Sequence, residues 1–267
     1  SFRIFAEQTR SDLKALAACI RSSRVKIKPE ALAQIRAPVL VVAGDIDPQG
    51  TRALVEKYFA AIPKGDKIPR NTVVEPPLGT ELRDVVHDRI QLPAVVLAYR
   101  IPGYGTKDFY AVDMLNRLLS NGNSSRLNKR VKDQEQKALY VGAFSFPLED
   151  PGLAIAFAIA NGGVSPDSLE HAMDEVFAEV REKGVPAAEL EKLKAGLETE
   201  FVNANARVAG IAENLASAYT FLGSTAKVNT ELDQYMHVTT DDLQRAAQHY
   251  FDPKKRVVLH YLPMVGD

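Results

Sequence analysis

The 267-residue chain carries five histidines: His87, His171, His237, His249 and His260. A hydrolytic zinc centre needs two imidazoles one helical turn apart plus a carboxylate, with a fourth position left open to water. No two of these histidines stand three or four residues apart, and the inverted motif H-x-x-E-H does not occur. His171 and Glu175 share one helical face, but at that spacing an exposed polar pair is the ordinary outcome. Serine chemistry lacks its parts as well. The G-x-S-x-G elbow is absent, and Gly122-Asn123-Ser124-Ser125-Arg126 fails at the second glycine. With no nucleophile to serve, Asp47 has no proton relay to orient, and its expected role is to shape a turn and cap the helix after Pro48. The chain is thus expected to lack its own machinery for activating water, with no metal and no cofactor bound to it.

The polar groups best placed to meet a ligand fall in Gly122 to Phe146, GNSSRLNKRVKDQEQKALYVGAFSF. Turn formers Asn121 to Ser124 lead into a charged helical segment around Arg126 to Lys137, then into an aromatic and apolar run. Leu127 and Val131, four apart, can share a buried helical face. Leu139, Val141 and Ala143 alternate with Tyr140, Gly142 and Phe144 as in a strand. Arg126, Lys132 and Tyr140 are therefore carried on anchored elements.

A loop ending in Ser-Ser-Arg-Leu, a charged helix and a strand opening on Tyr resembles the second, non-catalytic half of zinc peptidases of the pitrilysin, insulinase and mitochondrial processing peptidase family. The resemblance covers roughly residues 38 to 267. It implies that the half carrying the inverted zinc motif cleaves the peptide, while the other half offers an arginine and a tyrosine to the substrate backbone. Tyr140 matches the tyrosine, and Arg126 matches the arginine of the Ser-Ser-Arg-Leu turn. The family's substrate-contacting arginine usually lies seven residues before the tyrosine. Here Asp133 stands at that place with Lys132 beside it, and an ammonium does not reproduce the fork of a guanidinium. The implied substrate-binding set is Arg126, Tyr140 and Lys132.

These residues sit within a chain whose elements can be followed from its start. Residues 1 to 35 show helical periodicity through Leu13, Leu16, Ala17 and Ile20, then a short helix from Pro29 to Ile35. Ala37 to Ala43 is a buried-type strand, and a helix runs from about Pro48 to Ile62. The stretch IRAPVLVVAGDID resembles the α/β-hydrolase segment leading to a triad acid. The overlapping VLVVAGDIDP resembles the last strand of the peptidase family's first domain. A chimera joined near this strand is the expected origin, and an ordinary divergent family member is the alternative. Residues 66–80 read as a proline-rich linker between an α/β piece, 1–65, and a main domain, 81–267.

In the main domain, Leu82 to Val86 and Val95 to Tyr99 are expected as an antiparallel pair, followed by a helix from Thr106 to Ser120. The strand Leu153 to Ala160 should pair with Tyr140 to Phe146. Helices are expected from Ser165-Pro166 to Lys183, from Ala187 to about Ala204, around Val208 to Leu222, and from Thr239 or Thr240 to Tyr250, before a strand Arg256 to Leu262. The fold class is α+β, an antiparallel sheet with helices on one face, preceded by the smaller α/β piece.

Thirty-three basic against 34 acidic residues, a net charge of −1 and 46% hydrophobic content predict a packed core. They argue against nucleic acid or anionic membrane as partner. The single cysteine, Cys19, precludes an internal disulfide framework. No apolar run reaches the ~20 residues of a membrane helix. The chain is expected to be soluble, in a bacterial cytoplasm, or in the periplasm if a leader has been removed. The resemblance implies peptide as substrate and, as partner, a zinc-bearing homologous subunit or another copy of the chain. The alternatives are a proteolytically inactive assembly subunit and an artificial chimera without activity.

Overall fold

A computed structural model describes residues 47–61, 63, 76 and 78–264. The expected helices and strand before Asp47, Cys19, and most of the linker lie outside these residues. The chain divides into two compact units, Ser1–Val74 with Phe201–Ala226, and Glu75–Glu200 with Lys227–Asp267.

In the first unit, helix α1 (Pro48–Phe59) starts as expected. Asp47 accepts from Gln49 N at 3.1 Å and from Gly50 N at 2.8 Å, and Pro48 occupies the first turn.

The second unit is built on β1 (Leu82–Asp88), β2 (Ala94–Ile101), α2 (Lys107–Ser120), β3 (Ala138–Phe146), β4 (Gly152–Ala160), α3 (Pro166–Lys183) and α4 (Ala187–Asn205). α4 ends in the first unit, where α5 (Val208–Leu222) follows. The second unit resumes with α6 (Val228–Met236), α7 (Thr240–Tyr250) and β5 (Arg256–Pro263). α6 lies in a stretch for which the sequence suggested no element.

The sheet order is β1-β5-β2-β4-β3. β3 and β4 pair antiparallel as expected, with Gly142 opposite Phe157. The expected β1–β2 hairpin does not form. β5 lies between them, parallel to β1 and antiparallel to β2. The polar spacer His87 to Gln91 fits a hairpin loop, but it equally fits the step over an inserted strand, and the β-branched Arg256 to Leu262 run supplies that strand.

Side chains alternate across the sheet. Val95, Leu97, Tyr99 and Ile101 of β2 and Ala154, Ala156, Ala158 and Ala160 of β4 are buried in a core with α2, α3 and α7. The four alanines let the helices approach closely, and the larger Leu153, Ile155, Phe157 and Ile159 fall on the opposite, open face. Three of these helices are started by capping side chains. Thr106 caps α2, Ser165 caps α3 with Pro166 inside, and Thr239 with Asp242 forms a reciprocal capping box on α7. No helix among the described residues is long and apolar enough to cross a membrane.

Candidate functional site

β3 ends the sheet order and pairs only with β4 among the described strands, so its outer edge has no strand partner. Beside that edge lies a concavity of about 460 Å³. Val141, Gly142 and Ala143 of β3 line it together with Ser120, Gly122 and Asn123 beyond α2, Asn128 and Lys132, and the rings of Tyr140, Phe144 and Phe157.

Local chemistry explains how these residues meet. Gly122 turns the chain after α2 in the left-handed region, at φ 79°, where other residues are strained. Ser125 is buried and its Oγ accepts from Asn128 Nδ2 at 2.9 Å, while Leu127 and Val131 are fully buried anchors. The charged helix is a π-helix, Asn128–Gln134, rather than the α-helix its sequence suggests. Such segments are rare and concentrate at functional sites. The chain leaves it through Gln136, a non-glycine residue at φ 52°. There Asn161 donates from its side chain to Gln136 O at 3.1 Å and from its backbone to Lys137 O at 2.8 Å.

A bulge follows. Ala138 pairs with Ala160 and Tyr140 with Ile159, so Leu139 is the extra residue and stands exposed, instead of sharing the face of Val141 as simple alternation implied. Tyr140, Gly142 and Phe144 then share the open face. Phe157 lies over Gly142, where a Cβ would come within 3.0 Å of its ring. That missing side chain lets Phe157 contact Tyr140 at 5.6 Å and Phe144 at 6.2 Å between ring centroids.

Two of the three residues singled out in the sequence, Lys132 and Tyr140, thus line one concavity. Tyr140 is 52% exposed, and Lys132 forms no ion pair among the described residues. Arg126 does not line it. Its guanidinium grips Glu189 of α4 through Nε to Oε1 at 3.2 Å and Nη2 to Oε2 at 2.7 Å. One turn along α4, Lys192 donates to Ser124 Oγ at 2.7 Å, and Asn121 Nδ2 donates to Glu200 at 2.8 Å. The Ser-Ser-Arg-Leu turn is therefore clamped from one side by α4 and held from below by Leu127. Asn123, Asn128, Phe144 and Phe157 were not singled out beforehand. The signal available for Phe157 was the strict alternation of alanine with large apolar residues along β4.

The described residues offer one grouping with metal-ligand atoms close together, Asp167, Glu170 and His260, within 4.8 Å of one another. It does not fit a metal centre. Glu170 accepts from Arg83 at 2.9 and 2.5 Å, from Arg256 at 3.0 Å, and faces His260 Nε2 at 2.7 Å. Its lone pairs are taken, and a cation there would confront two guanidiniums. Burial raises the Glu170 carboxyl, but Arg83, His260 and Arg256 outweigh it and hold the group below its ordinary range. Arg256, 3% exposed, also pairs with Asp174 and Glu81 and donates to Tyr99 Oη at 3.2 Å. Burial pushes the Tyr99 phenol up to about 12, against the pull of Arg256. This cluster fastens β1 and β5 to α3. The other paired histidine, His171, stands 3.6 Å from Glu175 as an exposed pair.

Comparison with known proteins fits this geometry. The family model described as the peptidase M16 inactive domain matches residues 37–197. Zinc protease PqqE of Helicobacter pylori is 26% identical over 228 residues, covering 84% of this chain and 51% of that protein. An uncharacterized zinc protease of Rickettsia bellii is 20% identical over 215 residues, covering 79% and 50%. The chain spans about half the length of the curated relatives it matches. Among solved structures, a protease from Helicobacter pylori aligns with a TM-score of 0.76 at 24% identity, covering 82% of this chain and 54% of that one. The peptidase M16 inactive domain from Pseudomonas fluorescens aligns with a TM-score of 0.71 at 20% identity, covering 84% and 52%. At these identities the structural likeness speaks to the fold alone.

Proposed function

Because the chain belongs to the peptidase M16 inactive-domain family, we propose that it is the non-catalytic, substrate-contacting half of a zinc peptidase. It holds extended peptide for a zinc-bearing half, carried on the same polypeptide or on a separate subunit. The observation that carries this reading is the edge of β3 that no described strand pairs, with a concavity beside it lined by both Tyr140 and Lys132. An extended peptide laid along such an edge is bound through its main chain, which tolerates many sequences. The phenol and the ammonium donate to its carbonyls. On this reading water activation belongs to the other half, in keeping with a sequence here that contains no H-x-x-E-H. Arg126, paired with Glu189, supports the loop beside the site rather than touching peptide.

The test is reconstitution. The chain is mixed with a zinc-bearing homologous half, and cleavage of a quenched fluorescent peptide is followed. Cleavage should need both components, and Tyr140→Phe combined with Lys132→Gln should reduce kcat/KM at least about tenfold, a loss of about 1.4 kcal/mol of transition-state stabilisation. Chelator-sensitive cleavage by the chain alone would overturn the proposal.

One observation favours a second reading, an assembly subunit without a substrate role. Tyr140, Phe144 and Phe146 of β3 and Leu153 of β4 are all large and exposed, and contiguous apolar surface of this kind serves association. Tight association with the homologous half, with cleavage indifferent to Tyr140 and Lys132, would select it.

A further inference from the structure

We infer that the concavity beside β3 is a receptor for a peptide carboxylate, with Lys132 as the residue that reads it. The inference rests on the peptide-binding reading above and adds a substrate preference to it. The carboxylate is either an acidic side chain or the free end of the chain.

The arginines on the segments that carry the lining residues are each paired. Arg117 pairs with Asp113 and Glu200, Arg126 with Glu189, and Arg130 with Glu135 and Glu175. Among the described residues, Lys132 alone lines the concavity as a cation, it has no carboxylate partner, and no aspartate or glutamate, Asp133 included, lines the space. The neighbouring donors are engaged: Ser120 donates its hydroxyl to Ala143 O at 2.6 Å, and Asn128 Nδ2 donates to Ser125 Oγ at 2.9 Å. What remains for a ligand is a positive charge, the half-exposed Tyr140 phenol and the Asn123 amide, beside the apolar wall of Phe144 and Phe157. A carboxylate next to a large apolar side chain satisfies all of these. A neutral peptide offers the ammonium main-chain carbonyls but no opposing charge.

The probe is a short fluorescein-labelled peptide of β-branched residues and one Phe, blocked at both ends, with a single central Glu. A second version carries Gln in its place, and a third carries Gln with a free C-terminal carboxylate. Binding to the full chain is measured by fluorescence anisotropy at low and high salt. The Glu peptide should bind about 5-fold tighter than the blocked Gln peptide at low salt, the scale of an exposed ion pair, with the advantage shrinking as salt rises. Lys132→Gln should erase the preference, while Lys129→Gln, three residues away and outside the concavity, should leave it. If the free-ended Gln peptide shows the advantage instead, the chain terminus is the carboxylate that is read.

Equal binding of all three peptides overturns the inference and leaves the peptide-holding reading standing. A preference that survives Lys132→Gln overturns it too, since another group is then reading the charge. If none of the peptides binds, the reading beneath falls, and the receptor with it.

Discussion

The pair formed by Arg126 and Glu189 separates two roles for the same arginine. Its two bonds, at 3.2 and 2.7 Å, are parallel, and the side chains are 17% and 31% exposed. That places the pair between open surface bridges, worth about 0.2–1 kcal/mol, and buried ones, whose loss of one partner costs about 3–5 kcal/mol. A coupling energy of about 1–2 kcal/mol follows. It is measured by urea unfolding of the wild type, Arg126→Ala, Glu189→Ala and the double variant. Because both residues serve the same loop, the single variants should also weaken binding of the peptide probes by a common factor. Additive stabilities, within about 0.5 kcal/mol, would refute the clamp. So would a loss of peptide binding in Arg126→Ala with none in Glu189→Ala, which would return the arginine to the substrate.

Replacing Arg256 by Leu strands Asp174, leaves Glu81 to Arg83 and leaves Glu170 to Arg83 and His260; the expected cost is about 3 kcal/mol or more, read as a lowered urea midpoint. Gly142→Ala should cost about 1–3 kcal/mol through its contact with the Phe157 ring, and Phe157→Leu in the same chain should recover most of it. Thr239→Ala removes the capping box of α7 and should lower stability by about 1 kcal/mol in the same unfolding assay. Acid should weaken the fold through Glu170. Its carboxyl is held below the ordinary 4.5 in the folded chain, so its contribution is complete above that value and is lost as pH falls through the lower folded value. Glu170→Gln should therefore flatten the dependence of stability on pH below about 4.5, measured by urea titration across that range.

Much of the fold was legible because the signals were local. Asp47 before Pro48, Ser165 before Pro166 and Thr239 before two aspartates each mark a helix start that the structure repeats. Lys132 and Tyr140 could be placed near one another because they lie on adjacent elements. What could not be read depends on contacts distant in sequence or on a change of one residue in a period. The partner of Arg126 stands 63 residues away, on another helix, where no local pattern points to it. The insertion of β5 between β1 and β2 is a non-local choice of the same kind. The π-helix buries Leu127 and Val131 as an α-helix would, so their spacing does not separate the two. The Leu139 bulge leaves the apolar alternation intact to the eye while moving one residue out of it.

The central place of β5 bears on how this polypeptide acquires its shape during synthesis. Until Arg256–Pro263 emerge from the ribosome, β1 has no strand to join and β2 shows a bare flank toward the gap. A nascent chain in that condition offers two sticky margins to its neighbours, the situation in which aggregation begins. Shortening the chain before Arg256 would therefore do more than trim a tail. It would cut β1 from the sheet and unpin the arginine that ties the sheet to α3.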